Sequence, residues 1–358
     1  MRVAGLISGT SVDGIDTAVV DIDDDNRIQV VALRTAPYPP GVAEAVLAIS
    51  NAPTHTAQIA RMNFLVGELF AEAVLNCGVP LETIELIGSH GQTIFHEGEP
   101  VELFGRKISS TLQIGESSII AERTGIPVVA DFRPSDMAAG GKGAPLVPYL
   151  DYLVFRDPKR GRVALNIGGI ANITVIPAGA SPEQVTAFDT GPGNMIMDAL
   201  TGSYDHDGEL ARRGRVDGAL LERLLADPYY SKRPPKTAGR EQYGKELLAS
   251  LPKLPLEDLV ATAAELTVQT IARAINAYTG VDEVIVSGGG AHNTYLIDRL
   301  GSELRPKLKP ASAFGIDVDG KEAIAFAVLA HETWRRRPSN VPSATGARHP
   351  AILGKTCY

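Results

Sequence analysis

Short apolar runs meet glycine-rich turns at four places along the chain. Two of these segments predict an apolar strand, a turn of glycine with Asn or Asp, and a returning strand: residues 3–23 (VAGLISGTSVDGIDTAVVDID) and 163–177 (VALNIGGIANITVIP). The other two predict a strand that ends just before a helix: residues 186–194 (TAFDTGPGN) and 282–293 (DEVIVSGGGAHN). The glycines are therefore expected at strand ends.

Apolar positions at helical spacing occupy the stretches between these turns. They predict helices at residues 56–77, 258–278, 295–304 and 321–336. Further strands are predicted at residues 84–95 and 126–132. Because strands and helices alternate through both halves, the predicted fold class is α/β, with a mostly parallel or mixed sheet.

The two strand–turn–strand segments begin about 160 residues apart, near the start of each half. This spacing favours an internal duplication with two related domains. The expected division is residues 1–140 and residues 141–358, with a partly irregular, proline-bearing insert near residues 202–257. Helical periodicity is lost from Arg337 onward, so that an extended surface tail is expected.

Composition narrows the function classes. The chain has 358 residues, of which 44% are hydrophobic and 21% charged, as in ordinary globular proteins. Lys and Arg number 34 and Asp and Glu 42, and this net charge of −8 argues against a nucleic-acid partner. No apolar run approaches the roughly 18 residues of a membrane span. The two cysteines, Cys77 and Cys357, suit a reducing compartment, so a soluble cytoplasmic protein is expected.

The first turn, Gly9-Thr10-Ser11, presents backbone N–H groups that suit phosphate oxygens. It lacks the G-x-x-x-x-G-K-[ST] pattern of a Walker A loop, and a strand follows it where a dinucleotide fingerprint needs a helix. Tight hairpins also use glycine for steric reasons alone. Asp13 and Asp16 beside this turn could hold a hydrated Mg²⁺, although Asp13-Gly14 also fits a type I′ turn.

Three later segments carry similar chemistry. Gly168-Gly169 with Asn172 offers a second phosphate-type turn, and Gly288-Gly289-Gly290 requires a close approach by a ligand or by a packed helix. Asp189 follows an apolar strand and is the candidate catalytic carboxylate. With an ordinary pKa of about 3.9 it is ionised at neutral pH and ready to act as a base. Capping a helix that begins near Asn194 is the alternative.

Polar and basic groups also follow two other predicted strands. His90 and Gln92 could bind sugar hydroxyls, although a lone histidine is often structural. Arg133 and Lys142 could meet an anionic substrate. Arg133 could equally pair with a neighbouring acid, Asp131 or Asp136.

Six ordered motifs then point to a family: GTSVDGID (9–16), SHGQT (89–93), ADFRPSDMAAGGKGAPLVP (130–148), LNIGGIAN (165–172), FDTGPGN (188–194) and SGGGAHN (287–293). Over about residues 3–330 the chain resembles the anhydro-N-acetylmuramic acid kinases of bacterial peptidoglycan recycling. These belong to the superfamily of acetate and sugar kinases, heat-shock ATPases and actin. The resemblance implies an α/β fold of two facing ribonuclease H-like (actin-like ATPase) domains with a cleft between them.

The resemblance also implies a reaction. Members of the family use ATP and water to open 1,6-anhydro-N-acetylmuramic acid and phosphorylate its O6, which gives N-acetylmuramic acid 6-phosphate and ADP. Asp189 matches the base that activates water for attack on C1. The alternatives are another sugar or carboxylate kinase of the same superfamily, in which Asp189 would be the base for a substrate hydroxyl, and a non-catalytic actin-like ATP-binding protein. The implied cofactors are ATP and Mg²⁺, the implied partner is a small anhydro-amino-sugar, and a homodimer is compatible with the family.

Individual residues are matched in the same way. The implied nucleotide-binding residues are Gly9, Thr10, Ser11, Val12, Asp13, Gly14, Ile15, Asp16, Gly168, Gly169, Asn172, Gly288, Gly289, Gly290 and Asn293. The implied substrate-binding residues are His90, Gln92, Arg133, Gly191 and Glu322. Asp13 is the implied metal ligand. An acidic residue early in a helix, as at Glu322, also stabilises the helix dipole.

Overall fold

The chain divides into two compact units. The computed structural model describes residues 1–9, 12–317 and 320–358. The first unit comprises Met1–Val154 and Gly320–Tyr358, and the second unit comprises Phe155–Asp319. Each unit contains one β-sheet with helices packed against it.

Strands and helices alternate through both units. The strands are β1 (Arg2–Ser8), β2 (Gly14–Ile22), β3 (Ile28–Pro37), β4 (Leu86–Leu103), β5 (Arg106–Ile114), β6 (Val128–Ala130), β7 (Arg162–Ile167), β8 (Ile170–Ile176), β9 (Thr186–Pro192), β10 (Glu283–Ser287), β11 (Lys307–Pro310) and β12 (Lys355–Cys357). The helices are α1 (Val42–Ile49), α2 (Thr56–Leu75), α3 (Ser117–Thr124), α4 (Phe132–Ala138), α5 (Pro148–Phe155), α6 (Met195–Thr201), α7 (Glu209–Arg213), α8 (Gly218–Leu225), α9 (Lys245–Ala249), α10 (Leu256–Asn276), α11 (Thr294–Glu303), α12 (Lys321–Trp334) and α13 (Pro342–Thr345).

The two sheets share one topology. In the first unit the order is β12-β6-β4-β1-β2-β3, with β5 paired to β4. In the second unit the order is β11-β10-β7-β8-β9. In both, the first three strands in sequence are antiparallel neighbours and the next two in the sheet run parallel to the first. This is the ribonuclease H-like arrangement in each unit, and it confirms the predicted α/β duplication.

Helix α12 brings the C-terminal residues into the first unit. A Cβ at Gly5 of β1 would stand 1.9 Å from the carbonyl oxygen of Ala323, and one at Gly88 of β4 would stand 2.2 Å from that of Phe326. Glycine at both positions therefore lets α12 lie directly on the sheet. The observed units differ from the expected division into residues 1–140 and 141–358, because this packing joins segments distant in sequence.

The insert matches its expected irregular structure, whereas the C-terminal tail does not. Residues 202–257 carry the short helices α7, α8 and α9, in keeping with the irregular insert expected there. The tail, in contrast, is tied into the first unit. Asn340 and Thr345 each donate a hydrogen bond of 2.7 Å to the buried carboxylate of Asp136, and β12 pairs with β6. Within the described residues, no helix is both long and apolar enough to cross a bilayer.

Candidate active site

Val12, which lies between β1 and β2, has a strained backbone conformation. Thr10 and Ser11, two of the expected phosphate-binding residues, lie outside the described residues. Val12 has a φ of 56°, an unfavourable value for a β-branched residue, and its side chain is buried in the core of the first unit. Its backbone N–H donates to the Gly9 carbonyl at 3.2 Å. Backbone strain of this kind concentrates at functional sites.

The rest of the expected 9–16 motif divides into structural and accessible groups. Ile15 is buried in the core, and a Cβ at Gly14 would stand 2.7 Å from the Ala36 carbonyl oxygen. Both residues therefore shape the hairpin. Asp13 is exposed in the turn, whereas the half-buried carboxylate of Asp16 accepts a hydrogen bond of 2.6 Å from the Thr35 hydroxyl.

His90 is buried beneath Arg133. Its Nδ1 lies 3.0 Å from the carbonyl oxygen of its neighbour Gly91, and its Nε2 accepts a hydrogen bond of 3.0 Å from Arg133 Nε. The ring also packs on Phe326, with 4.5 Å between ring centroids. Burial first, and then the Arg133 charge, lower the pKa of His90 well below 6.5, so that it stays neutral. Both ring nitrogens therefore have protein partners, one of them Arg133, and the expected contact of His90 with a sugar stays a prediction.

Arg133 interacts electrostatically with Glu322 rather than with the acidic residues near it in sequence. Beyond its bond to His90, its Nη1 donates to the Gly143 carbonyl at 3.2 Å. Burial lowers its pKa to about 10, opposed by the charge of Glu322, and a guanidinium with this pKa stays charged at neutral pH. Asp131 pairs instead with Lys355 at 2.9 Å, and Lys142 pairs with Glu99.

Glu322 lies in the first turn of α12, in the same unit as Arg133. Part of its surface is exposed, but the protein around the carboxyl group displaces water from it, and this desolvation raises the pKa of Glu322. Arg133 opposes this shift, while the nearby charge of Asp16 adds to it. The first unit thus brings an arginine and two carboxylates into electrostatic contact.

Gln92 adds a buried polar group to this region. Its side chain is only 1% exposed, and its Nε2 donates to the Thr93 carbonyl at 3.2 Å. Among the described residues, its Oε1 has no hydrogen-bond partner. An unsatisfied buried acceptor is costly, and a ligand hydroxyl would satisfy it.

A row of polar side chains crosses the sheet of the second unit at its strand ends. Ser287 is paired with Asn166, Asn166 with Asn172, and Asn172 with Asp189, on strands β10, β7, β8 and β9. Paired residues on neighbouring strands project from the same face. The second phosphate-type turn and the candidate base therefore belong to one polar surface.

Asp189 is held by a segment far away in sequence. Its Oδ2 accepts a hydrogen bond of 2.8 Å from the Ala238 backbone N–H. Its own N–H donates to the Lys236 carbonyl at 3.2 Å, and the Tyr229 hydroxyl donates to its carbonyl at 2.7 Å. Helix α6 begins after Asn194, and the Asp189 carboxylate bonds elsewhere, so that the helix-cap alternative for Asp189 is wrong.

The environment of Asp189 suits a general base. Burial raises the pKa of its half-buried carboxyl to about 6, and the Ala238 hydrogen bond and the Lys236 charge oppose the shift. The expected ordinary value near 3.9 is therefore too low. At pH 7 the group is still mostly ionised, and a base with a pKa closer to neutrality accepts a proton more effectively.

The glycines of the second unit fall into two groups. A Cβ at Gly290 would stand 2.3 Å from the Ile167 side chain, and Gly288 has a φ of 83°. A Cβ at Gly191 would stand 3.0 Å from the Tyr230 ring and 3.1 Å from the Thr270 hydroxyl, and the expected substrate contact of Gly191 stays a prediction. In the second group, packing does not require glycine, because an added Cβ would have no neighbour nearer than 3.6 Å. These residues are Gly168, Gly169 and Gly289.

A cavity of about 610 Å³ lies beside the last of these glycines. Gly289, Gly290 and Asn293 line it, together with Tyr204 and His206, whose rings lie 5.8 Å apart. Asn293 also caps α11, since its Oδ1 accepts from the Leu296 N–H at 3.1 Å. The volume and the aromatic wall are suited to a nucleoside.

The whole sequence matches one family model, described as anhydro-N-acetylmuramic acid kinase, over residues 1–358. The chain belongs to the anhydro-N-acetylmuramic acid kinase family. It is 45% identical over 380 residues to the "Anhydro-N-acetylmuramic acid kinase" of Caldanaerobacter subterraneus subsp. tengcongensis, covering 99% of this chain and 96% of that one. It is 41% identical over 382 residues to the relative of the same name from Bacillus cereus (strain Q1), covering 100% and 99%.

Solved structures are similar at a lower level. Component A of (R)-2-hydroxyglutaryl-CoA dehydratase from Acidaminococcus fermentans aligns with a TM-score of 0.45 and 13% identity, covering 93% of this chain and 98% of that one.

Membership in a kinase family makes the chain an enzyme that acts on a small molecule and uses ATP.

Sequence reasoning missed several residues of this family member. The segment that holds Asp189 (Tyr229, Lys236 and Ala238) and the aromatic pair of the cavity (Tyr204 and His206) both lie in the insert of residues 202–257. The signal for the pair was available, because tyrosine and histidine stand two residues apart among aspartates and glycines. The contacts to Asp189 had no sequence signal, since 40 or more residues separate the partners.

We expect Gly289→Val to weaken nucleotide binding about tenfold or more while the anhydro-N-acetylmuramic acid kinase fold remains intact. A Cβ there would approach only Asn194 Nδ2, at 4.0 Å, so that the added methyl groups would occupy the cavity rather than the core. Titration calorimetry with ATP measures the effect. Gly301→Val is the matched control, because Gly301 has open space around it on another surface. Equal ATP affinity in both variants would remove Gly289 from the nucleotide site.

Proposed function

We propose that this chain hydrolytically opens 1,6-anhydro-N-acetylmuramic acid and phosphorylates its O6 with ATP. The products are N-acetylmuramic acid 6-phosphate and ADP, and the reaction serves cell-wall recycling. The observation that carries the proposal is the half-buried carboxylate of Asp189, whose pKa is raised to about 6 beside a polar strand-end surface. Family membership supports the same reaction.

Asp189 has the role of general base. It takes a proton from water as the water oxygen attacks C1 of the anhydro-sugar. The bond between C1 and O6 breaks, its electron pair stays on O6, and O6 then forms a bond with the γ-phosphorus of ATP. The hydrogen bond from the Ala238 N–H fixes one carboxylate oxygen, which leaves the other to receive the proton.

Residues of the first unit have the role of binding the sugar acid. Arg133, fixed by His90, is the partner of the lactyl carboxylate, because a guanidinium binds a carboxylate through paired N–H donors. The unsatisfied Oε1 of Gln92 accepts from a sugar hydroxyl. Glu322, in the first turn of α12, contributes a second acceptor for the sugar.

Backbone turns and one metal ion have the role of handling the phosphates. Gly168 and Gly169 leave room for phosphate oxygens at the second turn, and Gly289 borders the nucleoside cavity. Among the described residues no cluster of three or more metal-binding side chains occurs. Mg²⁺ bound with ATP requires few protein carboxylates, so exposed Asp13 with Asp16 fits it. When bound, the ion would neutralise phosphate charge.

The direct test is ADP formation with a set of sugars. With ATP and Mg²⁺, we expect one ADP and one sugar phosphate for each 1,6-anhydro-N-acetylmuramic acid consumed. N-acetylmuramic acid, which has the pyranose ring but lacks the 1,6-anhydro bridge, should release at least about tenfold less ADP, since no C1–O6 bond breaks to present O6. Equal rates with both sugars would show an ordinary sugar kinase and contradict the ring-opening proposal.

A further inference from the structure

A second cavity of the second unit lies behind the strand that carries Asp189. It has a volume of about 330 Å³ and is lined by Phe188 and Thr190 of β9 and by one face of α10. Phe188 pairs with Ile173 in regular register next to the Asp189–Asn172 pair, so Phe188 projects to the opposite face from Asp189, and Asp189 does not line the cavity. The cavity is therefore separate from the surface on which Asp189 meets water.

Three cations line this cavity: Lys232, Lys236 and Arg273. Within the part of the chain that the structure describes, no carboxylate lines it, and none of the three cations forms an ion pair. Aromatic and aliphatic side chains, including Tyr230 and Tyr278, complete the walls. Lys236 is buried, whereas Lys232 and Arg273 are exposed, so the cavity places one buried positive charge beside two that solvent reaches. A buried charge without a counter-charge is costly, and an anion entering the cavity would offset that cost.

Lys236 is the buried cation of this cavity, and its ammonium group is fixed by backbone carbonyls. Its side chain is nine-tenths buried, at 8% exposure, and its Nζ donates to the carbonyls of Tyr229 and Tyr230 at 3.1 and 3.2 Å. These bonds use two of the three ammonium N–H groups. Burial lowers the pKa of Lys236, and the like charge of Lys232 lowers it further. An anion between the two lysines would relieve that repulsion.

We propose that this cavity binds a small organic anion, a carboxylate or a phosphate ester with an apolar portion, at a site distinct from those for ATP and the sugar. Lys236 also links the cavity to Asp189, since its carbonyl accepts the Asp189 N–H at 3.2 Å. The Lys236 charge lowers the pKa of Asp189. An anion that neutralises this charge raises that pKa and slows the reaction below about pH 7.

The binding test uses the intact chain with a non-hydrolysable ATP analogue at saturation, which occupies the nucleotide phosphate sites. Inorganic phosphate and lactate, each titrated at constant ionic strength, distinguish a phosphate from a carboxylate ligand. We expect saturable binding of one or both by calorimetry. Arg273→Gln and Lys232→Ala should each weaken it about tenfold, the value of a charge-assisted hydrogen bond. Arg61→Ala, which removes an exposed arginine of α2, should leave it unchanged.

Three results would overturn the proposal. They are no saturable binding of either anion, equal weakening by Arg61→Ala, and displacement of the bound anion by 1,6-anhydro-N-acetylmuramic acid, which would make the cavity part of the sugar site. The link to Asp189 rests on the proposed function and has its own readout. With the anion bound, the acidic limb of the rate profile should move to higher pH in the wild type and stay in place in Arg273→Gln. An unmoved limb in the wild type would contradict the link while leaving the binding result intact.

Discussion

Asp189→Asn is expected to lower turnover at least about 100-fold while ATP still binds. The change keeps the size of the side chain and an oxygen for the Ala238 N–H, and it removes the proton acceptor. General-base catalysis contributes about 10²- to 10⁴-fold. Steady-state ADP release measures the rate, and calorimetry with ATP checks the nucleotide site.

The pH dependence of the wild type gives the same prediction a second readout. Because the pKa of Asp189 is about 6, the rate should fall as pH drops through 6, rather than near 4.

The raised pKa of Asp189 also makes folding stability depend on pH, with the opposite sign from that of a salt-bridged carboxylate. The unfolded chain ionises near pH 4 and the folded chain only near pH 6, so that the wild type loses stability as pH rises through this window. Asp189→Asn should therefore melt at an equal or higher temperature than the wild type at pH 8.

Asp298→Asn is the matched control for this experiment. Asp298 is an exposed carboxylate of the same unit, with a single ion pair of 3.8 Å to Arg212. Its loss should change the rate less than twofold. If Asp189→Asn retained turnover within threefold of the wild type, Asp189 would be a structural residue of β9.

Arg133→Ala is expected to lower kcat/KM for 1,6-anhydro-N-acetylmuramic acid by about 10- to 100-fold, the value of a lost charged hydrogen bond. The matched substrate is 1,6-anhydro-N-acetylglucosamine, which lacks the lactyl carboxylate. The wild type should use this neutral sugar poorly, and Arg133→Ala should no longer distinguish the two sugars. Steady-state kinetics with both substrates measures the difference.

Lys142→Ala separates a specific contact from a general loss of positive charge. Lys142 was the second cation expected to face the substrate, and in the structure it pairs with Glu99. Its replacement should change kcat/KM less than threefold. If Lys142→Ala and Arg133→Ala reduced kcat/KM equally, the lactyl carboxylate would be recognised by the general positive charge of this region rather than by a contact with Arg133.

Local patterns in the sequence predicted the glycine-bearing hairpins and the long helices, but not β3, β5, β11 or β12, and the ribonuclease H-like fold was implied by the family resemblance. The apolar runs around Gly9 and Gly168 each predicted an antiparallel hairpin, and both are present as β1–β2 and β7–β8. The boundary between the units could not be predicted in this way. It depends on α12 lying against Gly5 and Gly88, a contact between segments more than 200 residues apart.

The candidate site was predictable as a set of motifs, but less so as a set of roles. The sequence does not distinguish Gly289, which faces a cavity, from Gly290, which packs on Ile167. Only the three-dimensional neighbours separate these two causes. The same holds for His90, whose ring nitrogens are used by Gly91 and Arg133, and for the pKa of Asp189, which is set by burial against distant residues.

The most direct test of the central claim is the reaction in ¹⁸O-labelled water, with the sugar phosphate analysed before its anomeric oxygen exchanges with solvent. Water attack at C1 predicts label on C1, none in the oxygen bridging C6 and phosphorus, and a single initial anomer with inversion, as for water activated by one carboxylate. Label in the bridging oxygen, or retention at C1, would contradict ring opening by a water molecule that Asp189 activates.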